Sequence, residues 1–141
     1  NSRNEGLGEE VKRKIMLGTY MLSAYGGNEY YEKACKIRRK LLEEVNSLFG
    51  TYDLILAPTT PNAAFKHGEI KGLIEMYMQD VFLLLANLTG IPSLSIPLGT
   101  VSKHLPFGIQ LMAKHFDEKL LFDFSINLLK LNTKTQEDGN S

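Results

Sequence analysis

The chain has 141 residues, of which 43% are hydrophobic, and its 16 basic side chains equal its 16 acidic ones. This composition predicts one domain with one buried core, and the balanced charge excludes a global field that would attract nucleic acid or an anionic membrane. A single cysteine, Cys35, excludes an internal disulfide and fits a reducing compartment, so the cytoplasm, or an organelle matrix in a eukaryote, is expected. Because no apolar run reaches about 18 residues and the first residue is Asn1, we expect a soluble chain that is processed or part of a longer protein.

The first part of the chain is predicted to be helical. Acidic residues open a helix that runs from Glu9 to Ala24, where two glycines end it. A second helix begins at the N-cap Asn28 and runs to about residue 49, because apolar side chains recur there at helical spacing. Cys35 lies on the apolar side of this helix and is expected to fill the core.

The rest of the chain alternates strands and helices. A strand over residues 53–57 leads into the loop Pro58-Thr59-Thr60-Pro61, because proline cannot donate to a sheet and threonine hydroxyls can satisfy the freed backbone groups. The later predicted elements are a helix over 73–90 that is buried after Asp80, strands over 93–99 and 107–113, a helix over 118–131 and a disordered tail over 132–141.

This order of elements predicts an α/β fold in which a β-sheet is covered by α-helices. Residues 1–131 form the folded part of the chain in this interpretation. Three short strands facing four helices would leave helical surface uncovered, unless further sheet comes from elsewhere.

The sequence gives little support for a metal site or for a nucleophilic serine. His67, His104 and His115 are far apart and show no metal-ligand spacing, which favours solvated or capping histidines. Ser93 and Ser95 share one face of a strand, but small hydroxyls in such a run usually serve packing. The sequence therefore offers no catalytic set within this chain.

The candidate binding groups are two charged residues and the Pro-Thr loop. Asp80 stands beside apolar neighbours, where a carboxylate needs either an internal cation or a ligand ammonium group. Lys14 has Gly18 one helical turn after it, which leaves room for a ligand, although a helix lysine is usually solvated. Thr59 and Thr60 follow a strand end, a position that often lines a ligand crevice but is more often a plain turn.

Five sequence blocks are distinctive when taken together. They are GEEVKRKIMLGTY, YYEKACKIRRKL, LILAPTTPNAAF, MYMQDVFLLLANLTGIPSLSIPLG and LPFGIQLMAKHFDEKLL. In the same order and spacing, over about residues 1 to 130, they resemble the C-terminal portion of the A subunits of aspartyl/glutamyl-tRNA amidotransferases, which belong to the amidase signature family.

The resemblance implies a large mixed sheet wrapped by helices, and a subunit that hydrolyses glutamine and passes the ammonia to a partner. B and C subunits would complete the heterotrimer, and the partner subunit would use ATP and magnesium to convert Glu-tRNA(Gln) to Gln-tRNA(Gln). That partner would also make most of the tRNA contacts. The nucleophile would be a serine of a Ser-cis-Ser-Lys triad upstream of Asn1, so the isolated chain is expected to be inactive and to have no cofactor of its own.

The resemblance also implies roles for the candidate residues. Asp80 matches the acid that holds the α-ammonium group of glutamine, and Thr59 and Thr60 lie at a strand end near the amide-substrate pocket. Lys14 stands where the family has an arginine for the α-carboxylate. Lysine keeps the positive charge but cannot form the two parallel hydrogen bonds that an arginine makes to a carboxylate. Two alternatives stay open: another amidase signature hydrolase, acting on fatty amides or allophanate, and a non-catalytic binding module from a truncated gene.

Overall fold

The computed structural model describes residues 6–23, 28–70, 72–101 and 104–138, and the chain divides into two compact units, residues 1–40 and 41–141. In chain order the described elements are α1 (Glu9–Leu22), α2 (Asn28–Leu48), β1 (Leu54–Pro58), α3 (Leu73–Met78), a 3₁₀ turn (Val81–Leu83), α4 (Leu84–Thr89), β2 (Ser93–Val101), β3 (Leu105–Ala113) and α5 (Glu118–Asp138). This combination of helices with a sheet confirms the predicted α/β class.

The second unit is built on a three-stranded sheet in the order β1-β3-β2. Strand β3 is central, because its Ala113 pairs with Leu54 of β1 and its Met112 pairs with Ser93 of β2. Both pairings are antiparallel, and β2 carries an irregularity just after Pro97. All the described strand pairs are therefore antiparallel, and the parallel pairs that a mixed sheet would add are not among them.

Successive side chains of β3 point to opposite faces of the sheet and build a hydrophobic cluster on each face. The buried residues are Ile96, Leu111, Ala113 and Leu121 in one cluster and Val45, Ile91 and Met112 in the other. Helix α5 covers the first face through Leu121, whereas α2 covers the second through Val45. The same alternation places Gln110 on the face of Met112, which matters for the site described below.

The boundaries of most predicted elements agree with the structure within a few residues. Helix α1 ends at Leu22, and the predicted last residue, Ala24, lies outside the described residues. Pro58, predicted to leave the sheet, is instead the last residue of β1 and pairs with Ile109. Among the described strands β1 is an edge strand, where a missing backbone N–H is tolerated.

The helix predicted over residues 73–90 is broken, and the prediction that it is buried is wrong for the described chain. The Asp80 amide donates to the Tyr77 carbonyl at 3.1 Å, and the Leu83 amide donates to the Asp80 carbonyl at 3.0 Å. Both hydrogen bonds join residues three apart, as in a 3₁₀ helix, so they interrupt the α-helical pattern of bonds between residues four apart. In α4 only Leu85 and Ala86 pack against the second hydrophobic cluster. Most of the apolar surface of this segment therefore faces solvent.

Two further predictions differ from the structure. Cys35 is exposed and not a core residue, because α2 presents that side to solvent in the described chain. Helix α5 continues to Asp138, so the boundary predicted after residue 131 lies within a helix. Asn132, expected to begin a disordered tail, donates its side-chain amide to the Leu98 carbonyl at 2.7 Å. Residues 139–141 of that tail lie outside the described residues.

Candidate functional site

The Pro-Thr loop begins where β1 leaves the sheet, and its hydroxyls are engaged in local hydrogen bonds. The Thr59 amide donates to the Gly108 carbonyl at 3.3 Å, and the Thr59 hydroxyl lies 3.3 Å from that of Ser95. The Thr60 hydroxyl donates to the Asn62 carbonyl at 2.8 Å. Thus Thr59 joins the loop to the β2–β3 hairpin, whereas Thr60 shapes the loop itself.

Thr59 and Thr60 line a shallow depression of about 250 Å³ on the sheet surface. The other lining residues are Ser95, Pro97, Pro106, Phe107 and Gly108. Glycine is required at position 108, because a Cβ there would lie 2.8 Å from the Ile96 carbonyl oxygen. The hydroxyl of Thr59 is 3.6 Å from the same Cβ position, so the absent side chain also lets the loop approach the sheet.

Asp80 lies between α3 and the 3₁₀ turn, and it is exposed. It makes no capping hydrogen bond to the short helix that follows, and among the described residues no lysine or arginine forms an ion pair with it. Its neighbour Gln79 lines a polar cleft of about 300 Å³ together with residues of the segment 62–75. The Asp80 carboxylate is therefore accessible to a ligand.

Gln110 is a buried polar residue that the sequence analysis missed. Its side chain is only 2% exposed, and its amide nitrogen donates to two backbone carbonyls, that of Pro58 at 3.1 Å and that of Phe82 at 2.7 Å. Its amide oxygen accepts a longer bond, 3.4 Å, from the Ser93 hydroxyl. One side chain thus connects the end of β1, the turn after Asp80 and the start of β2. A lone amide inside the apolar run FGIQLMA was the sequence signal for it.

Lys14 belongs to the first unit, where it lies on α1 with its side chain 64% exposed. Its ammonium nitrogen is 3.7 Å from a carboxylate oxygen of Glu10, whose main partner is Arg13 at 2.5 and 2.9 Å. The Arg13 hydrogen bond lowers the pKa of the Glu10 carboxyl; slight burial opposes this effect, and the charges of Arg13 and Lys14 add to it. A Cβ on Gly18 would meet nothing within 4 Å, so there is open space one turn from Lys14.

The structure brings no catalytic or metal-binding set together in the described part of the chain. Among those residues no three histidine, cysteine or acidic side chains form a group that could hold a metal ion. Ser93 is bonded to Gln110 and Ser95 to Thr59, and neither hydroxyl has a lysine partner in the described contacts. What the second unit does place together is the Pro-Thr loop and the Asp80 turn, both anchored on Gln110.

No helix in the described residues has both the length and the apolar character needed to cross a bilayer.

Comparison with known proteins gives a consistent set of relatives. A family profile described as Amidase matches residues 1–122. The A subunit of the glutamyl-tRNA(Gln) amidotransferase of Halothermothrix orenii is 45% identical over 137 residues, which are 96% of this chain and 29% of that protein. The crystal structure of the corresponding A subunit from Thermotoga maritima is 47% identical, with a TM-score of 0.63, and the match covers 83% of this chain and 26% of that one.

A more distant likeness is to the allophanate hydrolase of Kluyveromyces lactis. Its structure matches with a TM-score of 0.61 at 25% identity and covers 85% of this chain but 19% of that one. The chain therefore spans less than a third of the length of the relatives it matches.

Proposed function

The chain belongs to the amidase family, and on that premise we propose that it is part of the glutamine-hydrolysing subunit of a tRNA-dependent amidotransferase. In this proposal the complete enzyme converts Glu-tRNA(Gln) to Gln-tRNA(Gln), with glutamine as the donor of ammonia. The observation that carries it is the identity of 45% over 96% of the chain to a protein named for that reaction. The accessible Asp80 carboxylate supports an amide substrate that carries a positive charge.

Each candidate residue has a role in this proposal. Asp80 binds the α-ammonium group of glutamine, because an exposed carboxylate without a cation beside it in the described residues is complementary to that group. Lys14 binds the α-carboxylate, and its loose 3.7 Å contact with Glu10 would be given up at little cost. Thr59 and Thr60 line the depression at the strand end, where they would contact the substrate.

The catalytic and nucleotide chemistry is assigned to other parts of the complete enzyme. The hydroxyls of Ser93 and Ser95 are hydrogen-bonded to Gln110 and Thr59, so in this proposal the described residues supply pocket groups but not a nucleophile with a base. The isolated chain is accordingly inactive in this proposal, which an assay of glutamine hydrolysis on the purified 141 residues would check. A partner subunit uses ATP and magnesium and binds most of the tRNA, and B and C subunits complete the assembly. The complex lies in the cytoplasm, or in an organelle matrix in a eukaryote.

A second candidate is an amidase that acts on a different amide. The likeness to an allophanate hydrolase at 25% identity favours it, because the same fold serves a substrate without an amino-acid group. Allophanate and fatty amides have no ammonium group, so this candidate leaves Asp80 without a role in binding. The third alternative is a non-catalytic binding module from a truncated gene, which would show no turnover with any amide.

The test compares Asp80→Ala with the unchanged full-length protein in steady-state hydrolysis of glutamine. Loss of one partner of a desolvated charge pair costs about 2–5 kcal/mol, so we expect kcat/KM for glutamine to fall by about 30-fold or more. Asp123→Ala is the matched control, because Asp123 pairs with Lys119 on an exposed face of α5 and should leave kcat/KM unchanged. An Asp80→Ala enzyme with unchanged kcat/KM would eliminate the amino-acid pocket.

A further inference from the structure

Gln110 connects the two segments of the second unit that carry the proposed substrate groups. Its amide nitrogen donates at 3.1 Å to the Pro58 carbonyl, immediately before Thr59, and at 2.7 Å to the Phe82 carbonyl, two residues after Asp80. These bonds use both hydrogens of the amide group. One side chain therefore ties the segment that carries Thr59 to the segment that carries Asp80.

Burial makes this connection stiff. Gln110 is 2% exposed, so water has little access to its amide group. Without this amide the Phe82 carbonyl would lose its side-chain donor, so the turn after Asp80 is held to the sheet by more than packing. This matters because the apolar neighbours of that turn are largely exposed, with Phe82 at 37% and Leu84 at 48%.

The segment around Asp80 has few other restraints among the described residues. It is a 3₁₀ turn between two helices of six residues each, and short isolated helices are unstable without tertiary contacts. The described backbone bonds of Asp80 are both local, from its own amide to the Tyr77 carbonyl at 3.1 Å and from the Leu83 amide to its carbonyl at 3.0 Å. The bond from Gln110 to Phe82 is thus a main determinant of where the Asp80 carboxylate stands.

We propose that Gln110 is a positioning residue that sets the placement of Asp80 relative to the Pro-Thr loop, and thereby the selectivity of the pocket for amides that carry an α-ammonium group. This inference rests on the proposed function, because it assigns Asp80 to the ammonium group. Gln110 touches no substrate in this account. Its effect is confined to the discrimination between glutamine and glutaramate, which is glutamine without its α-ammonium group.

The experiment measures kcat/KM for glutamine and for glutaramate in the full-length protein and takes their ratio. Gln110→Met keeps the length of the side chain but removes both donors, and a misplacement of about 1 Å lowers activity by up to about a hundredfold. We expect the glutamine-to-glutaramate ratio to fall by about tenfold or more, with glutaramate hydrolysis little changed. Ser93→Ala is the matched control, since it removes only the 3.4 Å contact to the amide oxygen and should leave the ratio unchanged.

A double variant separates positioning from general destabilisation. In an Asp80→Ala background, Gln110→Met should cause no further fall in the ratio, because the group that it positions is gone. If Gln110→Met does not fold, Gln110→Asn keeps the amide on a shorter side chain that cannot reach both carbonyls, and the same fall in the ratio is expected.

Each remaining outcome decides against the inference. Equal losses for glutamine and glutaramate in the Gln110 variants, or an unchanged ratio, would overturn it while the Asp80 assignment stands. A wild-type protein with no preference for glutamine, and an Asp80→Ala variant with the same ratio, would overturn the proposed function and this inference together.

Discussion

At the scale of single residues, Gln110 and Asp80 of the second unit differ in burial and therefore in the hydrogen bonds that they need within the protein. Gln110 is buried with its two donors and its acceptor engaged, so its amide stabilises the segments around it. Asp80 is exposed, so its carboxylate is open to solvent. A fixed buried amide and an accessible charge are the combination expected of a preorganised binding site.

Lys14 gives the residue-scale prediction. In the full-length protein, Lys14→Arg should leave KM for glutamine unchanged or lower it by up to about tenfold, because a guanidinium binds a carboxylate with two parallel hydrogen bonds. Steady-state hydrolysis of glutamine measures this, with Lys12→Arg as the control, since Lys12 pairs with Glu9 at 3.4 Å on the same helix. A clear rise in KM for Lys14→Arg would show that Lys14 does not bind the carboxylate.

At the scale of elements, the connection between β3 and α5 contains strain. Phe116 has a φ of 65° although it is not glycine, and its side chain is 93% exposed. A left-handed conformation costs an ordinary residue about 1–2 kcal/mol, and an exposed side chain returns little of that by packing. The chain therefore turns from β3 into α5 at the cost of backbone strain at Phe116.

This strain predicts that Phe116→Gly stabilises the protein. The free energy of unfolding should rise by about 0.5–1 kcal/mol, because glycine adopts positive φ freely and loses part of the gain through its more flexible unfolded state. Urea unfolding of the full-length protein measures the change. Phe116→Ala removes the same ring but keeps the Cβ, so it should bring no gain; equal stability of the two variants would contradict the strained conformation.

The elements themselves could largely be predicted from the sequence, because helical spacing, the acidic first turn of α1 and the alternation in the strands are local signals. The break at Asp80 could not, since neither proline nor glycine marks it and the run reads as continuous apolar helix. The role of Gln110 was also hidden, because its partners, Pro58 and Phe82, lie 52 and 28 residues away in the chain. Asp80 and the Pro-Thr loop could be named as candidates because their charge and proline content stand out locally, and their binding roles stay predictions.

At the scale of the whole molecule, each of the two units keeps apolar surface exposed in its described residues. Apolar side chains remain exposed on several described elements, among them Ile15 and Met16 of α1, Ile74 of α3, Leu88 of α4 and Phe122 of α5. Such uncovered surface agrees with the ratio of strands to helices that the sequence predicts. The chain spans 29% of the length of its relative in Halothermothrix orenii.

The preference of the full-length protein for glutamine over glutaramate tests the central claim most directly, because the two amides differ only in the α-ammonium group assigned to Asp80. Both are hydrolysed under the same conditions, and kcat/KM is measured for each. The account predicts that glutamine is preferred by about 30-fold or more, the effect of one charge pair that is desolvated when glutamine binds in the complete enzyme. Equal kcat/KM values for the two amides would contradict a pocket built for an amino acid.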